Sequence, residues 1–162
     1  MLEQINVEAH LRERSTSVET VGDEQRFSHP TGCSSILVRR GANTPLPAFL
    51  DASPLRTFYE LYAGASIGDS DLMFATPVEG GIAVSHGYTL PDFARVRSVA
   101  QTYSIQNSSE EILFLVTYGW MFFYGYVGAE LRVHDRDFGT CDKATFQEVL
   151  RNWWQIANDN RN

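Results

Sequence analysis

The segment from residue 53 to residue 74 joins a helical pattern of apolar residues to a sequence typical of β-sheet. Between Leu55 and Tyr62 the apolar residues recur at helical spacing, which predicts an amphipathic helix with one buried stripe. Ser53 is predicted to cap this helix, and Gly64 to end it in the left-handed conformation. Such a stripe must be covered by a larger apolar surface. The sheet-forming sequence that follows predicts that this surface is a sheet.

Predicted strands and helices alternate along the rest of the chain. The run ILFLVT at 112–117 is apolar without interruption, which is typical of a central strand covered on both faces. The other predicted strands lie at 34–39, 71–75, 82–85, 121–127 and 130–135, with a hairpin turn at 79–81. Two more helices are predicted, one from residue 91 or 92 to about 103 and one beginning at a capping box of Thr145 and Glu148. This order predicts an α+β fold, a mostly antiparallel sheet with helices packed mainly on one face.

The length of the chain predicts one domain. Its 162 residues, 43% of them hydrophobic, are enough for one core. That domain is predicted to span residues 31–157. Residues 1–30 are less well specified: Leu2, Ile5 and Ala9 predict a short amphipathic helix, and the polar sequence around it predicts a mobile arm.

Charge and cysteine content restrict the partners and the compartment. The net charge of −7 opposes binding to nucleic acid, because phosphate recognition relies on clustered lysine and arginine. No apolar run is long enough to span a membrane, since a threonine and two glycines break the run 112–127, and the N-terminal sequence has no apolar signal region. Cys33 and Cys141 are too few for a disulfide framework. These features predict a cytoplasmic protein without a membrane or nucleic-acid partner.

The densest cluster of potential metal ligands is His134-Asp135-Arg136-Asp137. A histidine beside two carboxylates has the right atoms for a divalent cation. Alternation along a strand, however, sends His134 and Asp135 to opposite faces, and the sequence Phe138-Gly139 that follows favours a hairpin turn closed by an aspartate. No metal, cofactor or catalytic residue is therefore predicted. A small metal-dependent hydrolase that uses His134, Asp135 and Asp137 stays open as an alternative.

Several short motifs in the second two-thirds of the chain resemble the SUKH superfamily. They are Leu46-Pro47, the aromatic helix 55–62 with the glycine-containing sequence 64–68, the sequence YGYVG at 124–128, a strand that ends Val133-His134-Asp135, and the start of the last helix at 144–150. The resemblance covers about residues 46–154. It implies an α+β domain without catalytic residues, used in bacteria chiefly as an immunity protein that binds and neutralises a cognate toxin. Other members of that family serve as regulators or scaffolds.

The expected function is therefore non-enzymatic protein binding, with a basic toxin domain as the partner. Binding is predicted at acidic turns at one end of the sheet and at nearby aromatic residues: Asp69, Asp71, Asp135, Asp137, Tyr118, Tyr124 and Tyr126. An accessory interaction protein of a phage or mobile element is a further alternative. The sequence leaves the oligomeric state open.

Overall fold

A computed structural model of the protein describes residues 6–42, 44–69, 71–85, 87–105 and 107–159, without the side chains of residues 118 and 153–159. The helices are α1 (Val7–Glu13), α2 (Arg56–Leu61), α3 (Phe93–Thr102) and α4 (Phe146–Asp159). The strands are β1 (Ser17–Val21), β2 (Glu24–Ser28), β3 (Ser34–Arg39), β4 (Tyr62–Ile67), β5 (Leu72–Phe74), β6 (Ile82–Ala83), β7 (Thr89–Leu90), β8 (Ile112–Thr117), β9 (Phe122–Val127), β10 (Glu130–Asp135) and β11 (Thr140–Ala144). Within the described residues, nine strands form an antiparallel sheet in the order β1-β2-β3-β4-β5-β8-β9-β10-β11, and β6 pairs with β7 separately.

Both faces of the large sheet are covered. The helices α1, α2 and α4 pack on one face, in a core that contains Leu11, Phe58 and Phe146. The other face carries α3 and the β6–β7 pair, which contribute Val96 and Leu90 to a second core. This arrangement confirms the predicted α+β fold with helices mainly on one face.

The helix predicted from Leu55 to Tyr62 is shorter than the sequence indicates, and its predicted end at Gly64 is wrong. The helix α2 ends at Leu61, and β4 follows at once with every residue buried. Gly64 lies inside β4, where an added Cβ atom would be 2.9 Å from Leu90 Cδ1. This glycine therefore allows the side chain of Leu90 to pack closely against the backbone of β4. It does not end a helix. Ser53 lies ahead of α2, where its Oγ accepts a hydrogen bond from Leu55 N at 3.2 Å.

The N-terminal segment contains more regular structure than its sequence suggests. The side chain of Asn6 caps α1, and Val7 and Leu11 of that helix are buried. This agrees with the predicted short helix, although Leu2 and Ile5 lie outside the described residues. The polar sequence that follows forms β1 and β2, where the sequence predicts no strand. All five residues of β1 are exposed, so the strand lacks the alternation of apolar and polar residues that would identify it.

The positions of the later strands agree with the prediction better than the pairing between them does. The bounds of β3, β8 and β10 are those predicted, whereas β11 was not predicted. The predicted hairpin between β5 and β6 is wrong, because β5 pairs with β4 and β8 while β6 pairs with β7. The glycine turn itself is present. Gly81 has φ +86°, and an added Cβ atom would lie 2.3 Å from the carbonyl oxygen of Leu90.

The caps of α3 and α4 hold two helices at their predicted positions. The Asp92 side chain accepts a hydrogen bond from the backbone N–H of Arg95 at 2.7 Å, which begins α3. The predicted capping box of α4 is confirmed: Thr145 Oγ1 accepts from Glu148 N at 3.2 Å, and Glu148 Oε2 accepts from Thr145 N at 3.1 Å. This box fixes the first turn of α4 above the sheet, with Phe146 buried.

Candidate functional site

Three connections between strands meet at one end of the large sheet. Leu72 of β5 pairs with Thr117 of β8, and Phe122 of β9 pairs with Asp135 of β10. The connections β4–β5, β8–β9 and β10–β11 therefore lie side by side. We call these three connections the turn end; they comprise residues 68–71, 118–121 and 136–139. The register thus brings the predicted acidic turns to the same end of the sheet.

The two acidic residues of the β4–β5 connection differ in their surroundings. Asp69 is exposed, and its Oδ1 accepts hydrogen bonds from the backbone N–H of Ser34 at 3.0 Å and from Ser34 Oγ at 3.2 Å. The carboxylate therefore ties this turn to the start of β3. Asp71 is half-buried and lies at the side of a groove between the sheet and α4.

The β10–β11 connection is a hairpin closed by its own aspartate. Asp135 Oδ1 accepts from the backbone N–H groups of Asp137 at 2.9 Å and of Phe138 at 3.2 Å. This is the local hydrogen bonding that makes aspartate frequent in turns. The side chain of Asp137 is exposed at the tip and accepts a hydrogen bond from Arg136 Nε at 3.2 Å. Asp137 therefore lies at the surface in an ion pair with Arg136, while Asp135 stabilises the turn.

His134 points to the other face of the sheet, away from these aspartates. It is 3% exposed, and its Nε2 lies 2.7 Å from Oε1 of Glu111, which is 1% exposed. Gly125 makes room for this carboxylate, since an added Cβ atom would be 2.7 Å from Glu111 Cγ. The three residues of the hydrolase alternative therefore do not converge. Throughout the described ranges no three His, Cys, Asp or Glu residues are grouped to hold a metal ion.

The predicted tyrosines occupy different environments. Tyr124 is half-buried on the face that carries α4, and burial raises its pKa to about 12. Tyr126 is 1% exposed and stacks on Phe114 at 5.4 Å between ring centroids. Tyr126 therefore lies in the core beside Phe114, where it has almost no surface to offer a partner. The side chain of Tyr118 lies outside the described residues.

A group of exposed side chains at the turn end was missing from the prediction. Tyr103, Met121 and Phe138 are 41%, 41% and 81% exposed. Arg136 is half-buried and contacts this group: its Cζ is 4.7 Å from the centre of the Tyr103 ring, its backbone N–H donates to the carbonyl oxygen of Met121 at 2.9 Å, and its Nη1 donates to the carbonyl oxygen of Gly119 at 3.1 Å. We call Tyr103, Met121, Arg136 and Phe138 the exposed patch. Tyrosine and arginine are the residue types that most often dominate binding energy at protein interfaces.

Beside the exposed patch, the face of the sheet that carries α4 contains an apolar groove. Phe122, Tyr124 and Val133 form its floor, and Val149 of α4 forms one wall. The cavity volume is about 640 Å³. We call it the α4 groove. A cavity of this size is in the range of protein pockets that hold side chains or small ligands.

Comparison of the chain with family models, with curated proteins and with solved structures found no match. Among the described residues, no helix combines the length and the apolar character needed to cross a membrane.

Proposed function

We propose that this chain is a non-enzymatic protein-binding domain that neutralises a cognate bacterial toxin by forming a stoichiometric complex. The observation that carries the proposal is the position of the exposed patch among acidic turns on one rigid end of the sheet. The motifs that resemble the SUKH superfamily support it, since neutralisation of toxins is the chief use of that family. The turn end is the proposed contact surface.

The charge of the chain supports a basic partner. The net charge is −7, and Asp69, Asp71 and Asp137 stand on the connections that surround the exposed patch. Complementary charge speeds the encounter of two proteins, and exposed aromatic and arginine side chains then hold the complex together. We therefore propose that the acidic residues raise the association rate and that the exposed patch lowers the dissociation rate of the complex.

Two further features favour binding over catalysis. Cys141 is a surface residue whose thiol is partly buried. This partial burial, together with the nearby carboxyl group of Glu111, raises the pKa of the thiol. A raised pKa favours the protonated form, which is a weak nucleophile. His134 is engaged with Glu111 in the interior. Cys33 and Cys141 are both free cysteines, as expected in a reducing compartment, and we place the protein in the cytoplasm as part of the proposal.

The test first searches the genes beside that of this chain for one that encodes a basic toxin domain, and it then measures the rates of complex formation with that domain by stopped flow at several ionic strengths. Asp71→Asn and Asp137→Asn are expected to lower the association rate about two- to fivefold at low salt, as a surface charge interaction is worth about 0.5–1 kcal/mol. The effect should disappear at high salt. Glu110→Gln is the matched control, because Glu110 is exposed before the first residue of β8, at the opposite end of the sheet.

In the same assay, Phe138→Ala is expected to raise the dissociation rate about 30-fold, which corresponds to the ~2 kcal/mol lost at an interface hot spot. Leu61→Ala is its control, because Leu61 is 61% exposed but lies where α2 enters β4, away from the turn end. Failure of the unmodified protein to bind the toxin domain would refute the proposed function. A complex whose rates none of these variants alters would place the contact on another surface.

A further inference from the structure

The α4 groove combines an apolar floor with a charged margin. Tyr124 and Val133 are cross-strand neighbours, and both are half-buried, as is Phe122. They therefore present apolar surface to solvent on a sheet face that is otherwise covered by helices. Partly exposed apolar surface that is held on rigid strands is a frequent feature of binding sites.

The margin of the groove is predominantly acidic. Asp71, Asp142 and Glu148 line it, together with one cationic residue, Lys143. The ammonium group of Lys143 is 2.9 Å from Oε1 of Glu130, so its charge is already paired. Glu148 Oε2 accepts the capping hydrogen bond from the backbone N–H of Thr145 at 3.1 Å, and its side chain is exposed at this margin. The groove therefore offers negative charge to whatever occupies it.

We infer that the α4 groove binds a basic amphipathic segment of the protein partner. Aliphatic stems or rings of that segment lie on Phe122, Tyr124 and Val133, and its lysine or arginine ends meet the carboxylates of Asp142 and Glu148. An acidic segment would bring like charges together, which disfavours binding. This inference rests on the proposed function and specifies the chemistry of the partner, at a surface that adjoins the exposed patch through Met121.

The first experiment uses small probes in place of the partner. Isotope-labelled protein is titrated by NMR with phenethylammonium, with neutral 2-phenylethanol and with anionic 3-phenylpropionate. Phenethylammonium is expected to shift the signals of Tyr124, Val133 and Val149 with an affinity at least tenfold higher than that of 3-phenylpropionate. Equal affinity of the cation and the anion, or no shift at these three residues, would overturn the inference.

Two variants test whether the negative charge of the groove selects the cation. Asp142→Asn is expected to reduce the preference for the cation at least threefold, and Asp142→Lys to abolish it. Asp142 is exposed, so both variants should fold normally, as circular dichroism and thermal melting can verify. Glu110→Gln, remote from the groove, should leave the preference unchanged. An undiminished preference in Asp142→Lys would show that the carboxylates do not select the ligand and would overturn the inference.

The toxin domain then links the groove to the proposed function. Asp142→Lys is expected to weaken the complex at least tenfold and to change the dissociation rate, since the basic segment would meet a new positive charge. A toxin complex that Asp142→Lys leaves unchanged would overturn the groove inference while the proposed function stands. Absence of any complex with the unmodified protein would refute the proposed function itself, whatever the probes show.

Discussion

Replacing Phe146 with alanine is expected to lower the free energy of unfolding by about 3–5 kcal/mol, the usual loss when a large buried aromatic side chain is truncated. Phe146 is 2% exposed, and its ring centroid is 6.0 Å from that of Phe74 and 6.3 Å from that of Phe114. The ring thus joins α4 to two interior strands of the sheet. Because a domain of this size is stable by only about 5–15 kcal/mol, the loss should be evident in urea denaturation.

Phe138→Ala is the matched control for this experiment. It removes the same atoms from a side chain that is 81% exposed, so its effect on stability should stay within about 0.5 kcal/mol. A Phe146→Ala protein as stable as the unmodified chain would mean that α4 contributes little to the core. A similar loss in both variants would mean that truncation acts through the unfolded chain and not through packing.

The elements that could be predicted are those with a complete local pattern. The continuous apolar run of β8 predicted an interior strand, and Thr145 with Glu148 predicted the first turn of α4. In both cases the residues that decide the structure lie within one element. Neighbouring parts of the chain are not needed to recognise them.

The elements that could not be predicted depend on distant residues. Gly64 is typical of a helix end by its local sequence, and only the position of Leu90 shows that it serves a strand. The strands β1 and β11 lie at the two edges of the sheet, and most of their side chains are exposed. Edge strands of this kind are held by pairing with one neighbour, so they need no apolar alternation and give no clear pattern in the sequence.

The candidate site, like the fold, could be predicted only in part. The sequence indicated acidic turns, and the register of the sheet brings them to one end. It did not indicate that Tyr103, at the end of α3, would lie against Arg136 of the β10–β11 connection. It also predicted binding at both Tyr124 and Tyr126, although Tyr126 is buried against Phe114 and Tyr124 lines a groove. Which of two similar residues is covered depends on packing between elements that are distant in sequence.

The pair of Glu111 and His134 is a buried polar contact that sequence analysis missed, because its members are distant in the chain. Their side chains are 0% and 4% exposed, and the distance from His134 Nε2 to Glu111 Oε1 is 2.7 Å. The second carboxylate oxygen, Oε2, has no hydrogen-bond partner among the described residues. His134 is thus the hydrogen-bond partner of a fully buried side chain, where an unsatisfied polar group is costly.

His134→Ala is therefore expected to destabilise the protein by about 1–3 kcal/mol, as found when a buried polar group loses its hydrogen-bond partner. His134→Gln, which keeps an N–H donor, should lose less. The double variant Glu111→Met with His134→Leu removes both polar partners, and it should recover much of the stability lost in His134→Ala. Urea denaturation of the four proteins gives these differences at one pH. A His134→Ala protein of unchanged stability would show that Glu111 finds another partner, whereas a double variant as unstable as His134→Ala would show that packing around Gly125, and not the unsatisfied polar group, sets the cost.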